Sequence, residues 1–222
     1  MDKKNAVEAA PIVQHALTAL MKSVPSTGRI GSQLRMAANK LAVDAEELLI
    51  EDAIGPPLAY CFELARQLGI TQGQLAYVRT KMLAERPKLL GPVLIRNAIV
   101  YLCLSYEGMV ISTMLFTSRA QIDALQASMN SIFAVVEEVA ADEMDQMTYQ
   151  GLLALHAAIT YALTQTARPL ARMLKFMFAA PMPTLITAMR LYSDAGRADE
   201  LRAENGVVHP AFMRRSGVAL SK

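Results

Sequence analysis

The sequence predicts a mainly α protein: a multi-helix bundle followed by a small C-terminal module of mixed α and β structure. Three observations carry this. Apolar residues make up 53% of the 222 positions, and Ala, Leu and Met dominate them; these types lose little rotamer freedom in a helix. Apolar positions recur at spacings of three and four through most of the chain. After Pro181-Met182-Pro183 the segments shorten and turn residues crowd between them. The hydrophobicity excludes disorder. An aromatic content of 6%, without Trp, argues against an all-β fold.

The first helix is read over residues 5–23, with Val7, Ile12, Val13, Ala16, Leu17 and Leu20 on its apolar face and Pro11 as an interior flaw. Pro25-Ser26-Thr27-Gly28 is a turn. The second helix spans residues 29–53, ends in Asp44, Glu46, Glu47, Glu51 and Asp52, and stops at Gly55-Pro56-Pro57. A third covers residues 57–68, with proline in the first turn and Gly69 just past its end. Thr71 caps a fourth that reaches residue 85. Pro87, Gly91 and Pro92 then mark a boundary, giving an N-terminal helical region over residues 1–90 and a long-helix bundle over 91–180.

That bundle is expected to hold a fifth helix over residues 92–116, a sixth over 119–144 and a seventh over 145–178, the last kinked at Pro169. The sixth places Ile122, Leu125, Met129, Ile132, Phe133 and Val136 on one stripe. Residues 183–222 form the module: a helix over 184–192, a turn at Ser193-Asp194-Ala195-Gly196, a helix over 197–204, and extended segments at 207–210 and 212–220.

Lys plus Arg is 22 and Asp plus Glu is 20, so the net charge is +2. That near-balance disfavours DNA as a partner, because phosphate binding draws on a basic excess. Mean hydropathy is +0.26. Residues 97–118 carry only Glu107 and residues 146–167 carry no formal charge, so each is long enough to cross a bilayer. Glu107 is costly in lipid, and the second window is studded with Gln, Thr and His156. Both are read as buried core helices, with membrane insertion as the minority reading. No signal peptide is read at Met1-Asp2-Lys3-Lys4-Asn5.

The residues offer no catalytic constellation. Cys61 and Cys103 lie in apolar runs and read as buried thiols, with pairing as the alternative. Glu46-Glu47, Glu137-Glu138 and the group Asp142, Glu143 and Asp145 read as solvated acidic faces without a nearby His or Cys to complete a metal set. His156 reads as a hydrogen-bonded core histidine and His209, before Pro210, as a turn residue. No metalloprotease, CxxC, nucleophile-elbow or P-loop motif occurs. The chain is therefore read as non-enzymatic, with no metal and no cofactor. Its 14 Met residues suit either a core or an adaptable interface.

From Met182 through Leu201 (MPTLITAMRLYSDAGRADEL), and on through Arg202-Ala203-Glu204-Asn205-Gly206-Val207-Val208-His209-Pro210-Ala211-Phe212, the chain resembles the C-terminus of the Mu-like phage DNA circularisation (DNA circulation) tail proteins. Those end with a proline-led apolar helix, a Leu-Tyr-Gly-Asp turn, an Arg-Ala-Asp-Glu helix, an Asn and an Arg-His-Pro-Gly-Phe segment. The resemblance extends upstream through Tyr106, Thr117-Ser118, residues 120–142 and Ala167-Arg168-Pro169-Leu170-Ala171-Arg172, covering residues 98–220. The ending is also similar to a degraded LysM-like fold. Ser193 stands where the family has Gly, Met213-Arg214-Arg215-Ser216-Gly217 replaces a Val-Pro-Gly-Gly turn, and residues 1–90 read as helical where the family has a β-rich domain.

The resemblance implies a virion structural protein of the distal phage tail and baseplate hub region, made in the host cytoplasm and acting in tail assembly. The implied partners are further copies of itself, as a homo-oligomer such as a trimer or ring, and other tail, baseplate hub and tape-measure proteins. Tyr192, Asp194, Asn205, His209, Pro210 and Phe212 are expected to shape the module for docking. The alternative is a protein ejected with the phage DNA that binds DNA ends or inserts in the host envelope.

Overall fold

The computed structural model describes residues 1–25, 27–142, 146–170 and 172–221. The chain is mainly α with a small α+β module, and its helices are α1 (Lys3–Ser23), α2 (Gly28–Ile50), α3 (Gly55–Gln67), α4 (Gln72–Ala84), α5 (Leu90–Ile111), α6 (Arg119–Asp142), α7 (Gln146–Ala167), α8 (Thr184–Tyr192) and α9 (Ala198–Glu204). Two strands, β1 (Met173–Met177) and β2 (Ser216–Leu220), pair antiparallel. The chain divides into two compact units, Met1–Met114 and Leu115–Lys222.

In the first unit α1 packs against α2, α4 and α5. Its buried face is rich in alanine (Ala6, Ala9, Ala10, Ala16 and Ala19) between Ile12, Val13, Leu17 and Leu20. Small side chains let neighbouring helices approach closely on several sides. Pro11 lies on the exposed side, and α1 continues through it. The local stops work as the residues dictate. Gly69 takes φ +81°, its amide donates to Arg66 at 2.9 Å and the Ile70 amide donates to Ala65 at 3.1 Å, which closes α3 in a Schellman turn with Ile70 buried beneath it. Thr71 and Gln74 then form a reciprocal capping box for α4.

The break at Pro87–Pro92 is not where the units part. It turns the chain from α4 into α5, and α5 packs on α4 and α1 within the first unit. Among the described residues α5 is the helix long and apolar enough to span a membrane. Part of it faces the core of the first unit: Ile99, Val100, Cys103, Leu104 and Ile111 are buried, and so is Glu107.

In the second unit α6 and α7 pack on each other, with Ile122, Met129, Phe133 and Val136 buried on α6 and Leu152, Ile159 and Leu163 on α7. The expected seventh helix ending at residue 178 is corrected. The helix stops at Ala167, and Met173–Met177 is a strand. Pro169 has no amide to continue the ladder, and residues 173–177 meet residues 216–220 in register, Met173 opposite Leu220 and Met177 opposite Ser216. The module thus starts upstream of residue 183. The extended reading at 207–210 is also corrected, since residues 208–210 bend and turn; of the expected segment 212–220, Met213 makes a single bridge to Met182 and Ser216–Leu220 is the strand.

Candidate docking site in the C-terminal module

The module runs β1, α8, a 3-10 turn at Ala195–Arg197, α9 and β2. One face of the two-stranded sheet and the two helices close on Phe176, Ala188, Tyr192, Leu201, Met213 and Ala219. A two-stranded sheet is marginal alone and stands here because helices cover it.

The six residues singled out from the sequence divide into struts and surface. Tyr192 is a pillar of the core. Burial pushes its phenol up, while Arg197 opposes that shift, its guanidinium lying 3.9 Å from the ring centroid and held by Glu200 at 2.6 Å. Ser193 takes φ +57° at the end of α8, the position where the resembled family has glycine. Asp194 Oδ1 then accepts the Gly196 amide at 2.8 Å and opens the 3-10 turn.

Asn205 does the work of an extra strand residue. Its Nδ2 donates to Leu201 O and Val218 O at 2.8 and 2.7 Å, and its Oδ1 accepts the Val218 amide at 2.8 Å. A single amide therefore ties the end of α9 to β2. Gly217 beside it leaves no room for a Cβ, which would meet Asn205 Oδ1 and Phe176 Cζ. Pro210 O accepts both the amide and the hydroxyl of Thr184, at 2.7 and 2.8 Å, so the turn before β2 is latched to the start of α8.

His209 and Phe212 face outward. His209 Nδ1 accepts the Ala211 amide at 3.2 Å, and its ring lies 5.2 Å from that of Phe212. Phe212 is 74% exposed, and Val208, Leu185, Ile186 and Met189 are also exposed. Leu185 also lines a groove of about 480 Å³, together with Pro183, Gly196, Asp199, Pro210 and Ala211. Its walls are mostly small apolar groups, with the polar Thr184 and the Asp199 carboxylate among them.

The remaining candidates from the sequence are accounted for elsewhere. Cys61 and Cys103 are free buried thiols; burial pushes Cys61 up to about 11 and Cys103 still higher. Glu46 and Glu47 lie on α2, and Glu138 and Asp142 are exposed on α6, while Glu143 and Asp145 fall outside the described residues. No group of three or more metal-ligating side chains gathers among the described residues.

Comparison with known proteins adds no relative: no family model and no curated protein matches this chain.

Two side-chain clusters escaped the sequence reading. Glu107, noted only as a cost in lipid, is fully buried and receives Arg79 Nε at 2.7 Å and Gln72 Nε2 at 2.9 Å. Arg79 and Gln72 on α4 share a face at a spacing of seven residues, but nothing in the sequence says that face meets α5. The acidic run of α6 has no histidine near it in sequence. The hairpin brings His156 of α7 to Glu137 at 2.8 Å and to Asn130 at 3.0 Å, stacked on Phe133 with ring centroids 4.5 Å apart. The partners are 19 residues apart in sequence, beyond the reach of any local motif.

Proposed function

We propose that this chain is a non-enzymatic virion structural protein of the distal phage tail and baseplate hub region, acting in tail assembly by docking through its C-terminal module. One observation carries the reading: a module with its own core presents a groove that Leu185 helps to line, and Val208 and Phe212, which flank its lining residues Pro210 and Ala211 in sequence, are exposed. Exposed apolar side chains grouped around a groove are the ordinary mark of a protein interface. The resemblance of residues 182–212 to the ending of phage DNA circularisation proteins supplies the setting. The partners are then other tail, hub or tape-measure subunits, with further copies of the chain.

The test is mass spectrometry of purified virions from a phage encoding the chain, with Phe212→Asp and Val208→Asp variants. Both substitutions are on the surface, so the variants are expected to fold. The chain is expected in intact particles, and the variants are expected to drop out of them. Absence of the wild-type chain from particles refutes the tail assignment. Undiminished incorporation of both variants refutes docking through this surface.

A further inference from the structure

Helix α2 is apolar on two opposite sides. Leu34, Ala38, Leu41, Ala45 and Leu49 are buried against the rest of the first unit. At about 100° per residue, Met36, Val43 and Ile50 line up on the far side, seven residues apart, and they are 72%, 83% and 42% exposed. A helix that covers only one core is expected to be polar there. Along one flank the stripe opens into a groove of about 560 Å³ between α2 and α3, walled by Met36, Ala37, Lys40, Asp44, Pro57 and the exposed Tyr60.

The charges of α2 are sorted along its length. Arg29, Arg35 and Lys40 occupy the first part, and no acid lies among them. Asp44, Glu46 and Glu47 occupy the end, with Glu51 and Asp52 just beyond it, and no base lies among them. Neither Lys40 nor Glu47 makes an ion pair within the described chain, although both are exposed.

We infer that α2 is a self-association surface whose occupant is a second copy of this chain, bound antiparallel about a twofold axis at Val43. This register sets Val43 against the second copy's Val43 and Met36 against the second copy's Ile50. It brings Lys40 to within one residue, about 1.5 Å along the axis, of level with the second copy's Glu47 on the same flank, twice by symmetry. A parallel pair instead sets base against base and acid against acid, which costs affinity and misdirects encounter. The charge sorting therefore selects the antiparallel arrangement. The contact closes at two copies, so it describes the free protein, separate from the module and from any trimer or ring in the tail.

Sedimentation of the full chain over a concentration series tests this. The wild type is expected to show a monomer–dimer equilibrium that salt weakens. Val43→Lys is expected to weaken it by about tenfold or more. Lys40→Glu and Glu47→Lys each weaken it, and the double swap restores it because the pairs are again opposite in sign. Under oxidation Val43→Cys is expected to cross-link to its copy, while Met36→Cys, about 20 Å from its counterpart in this register, does not. A monomeric wild type overturns the proposal, as does self-cross-linking of Met36→Cys equal to that of Val43→Cys. Self-association unaffected by Val43→Lys overturns it while leaving the tail-assembly reading intact.

Discussion

The buried pair between α4 and α5 offers the sharpest test of what holds the first unit together. Arg79 is 4% exposed and Glu107 is 0% exposed. The Glu107 carboxylate takes a guanidinium N–H at 2.7 Å and the Gln72 amide at 2.9 Å. Substituting Arg79→Met keeps the length of the apolar stem but leaves the carboxylate facing Gln72 alone. Stranding a buried charge in this way costs about 3–5 kcal/mol. Set against a typical total of about 5–15 kcal/mol, that is a large share of the stability of this unit. Replacing both residues, Arg79→Met with Glu107→Leu, removes the charge as well as its partner. The double variant is expected within about 2 kcal/mol of the wild type.

Urea unfolding followed by circular dichroism gives the losses. Hydrogen exchange in peptides covering α4 and α5 shows whether they are local. The reasoning fails if Arg79→Met costs less than about 1 kcal/mol, the value of a surface pair. It also fails if the double variant loses the sum of the two single losses, which would mean that the groups do not interact.

Other consequences concern smaller features. Gly217→Ala forces a Cβ onto Asn205 Oδ1 and Phe176 Cζ; an overpacking loss of about 1–3 kcal/mol is expected, visible as faster exchange in β1 and β2 with α1–α5 unchanged. Cys61, pushed up to about 11 by burial, and Cys103, pushed higher still, should resist a thiol reagent at pH 8 until urea unfolds the first unit, and rapid modification of either in the folded chain would contradict their burial. Glu63 is held down to about 2 from 4.5 by Arg66 and Gln67. Its folded pKa lies below its unfolded one, so its stabilising contribution is full above pH 4.5 and fades as pH falls toward 2. Glu63→Gln should therefore flatten part of the acid limb of the stability curve, and an unchanged limb would count against the contact.

Local chemistry was legible without the fold. Thr71 before α4, Gly69 after α3, proline in the first turn of α3 and Asp194 at a short turn each act on neighbours within a few residues, so spacing alone announces them. The module was legible for the same reason, through Tyr192 to Asp194 and the Asn205 stop. Its first strand was not. Residues 173–177, Met-Leu-Lys-Phe-Met, hold no β-branched residue and no breaker and are acceptable to a helix, and only pairing with residues 216–220 makes them β. A strand has no hydrogen bonds of its own, so its partner decides it.

By itself the sequence determined that the chain is mainly α and where most of its helices start, because caps, breakers and apolar period are local interactions, but it overran the ends of α5 and α7. Tertiary structure alone decided that α5 joins the first unit, that Arg79 meets Glu107, and that His156 meets Glu137. It also decided which side of α2 stays uncovered. These depend on which faces find each other across long stretches of chain, and burial is a property of the whole packing rather than of any window of residues.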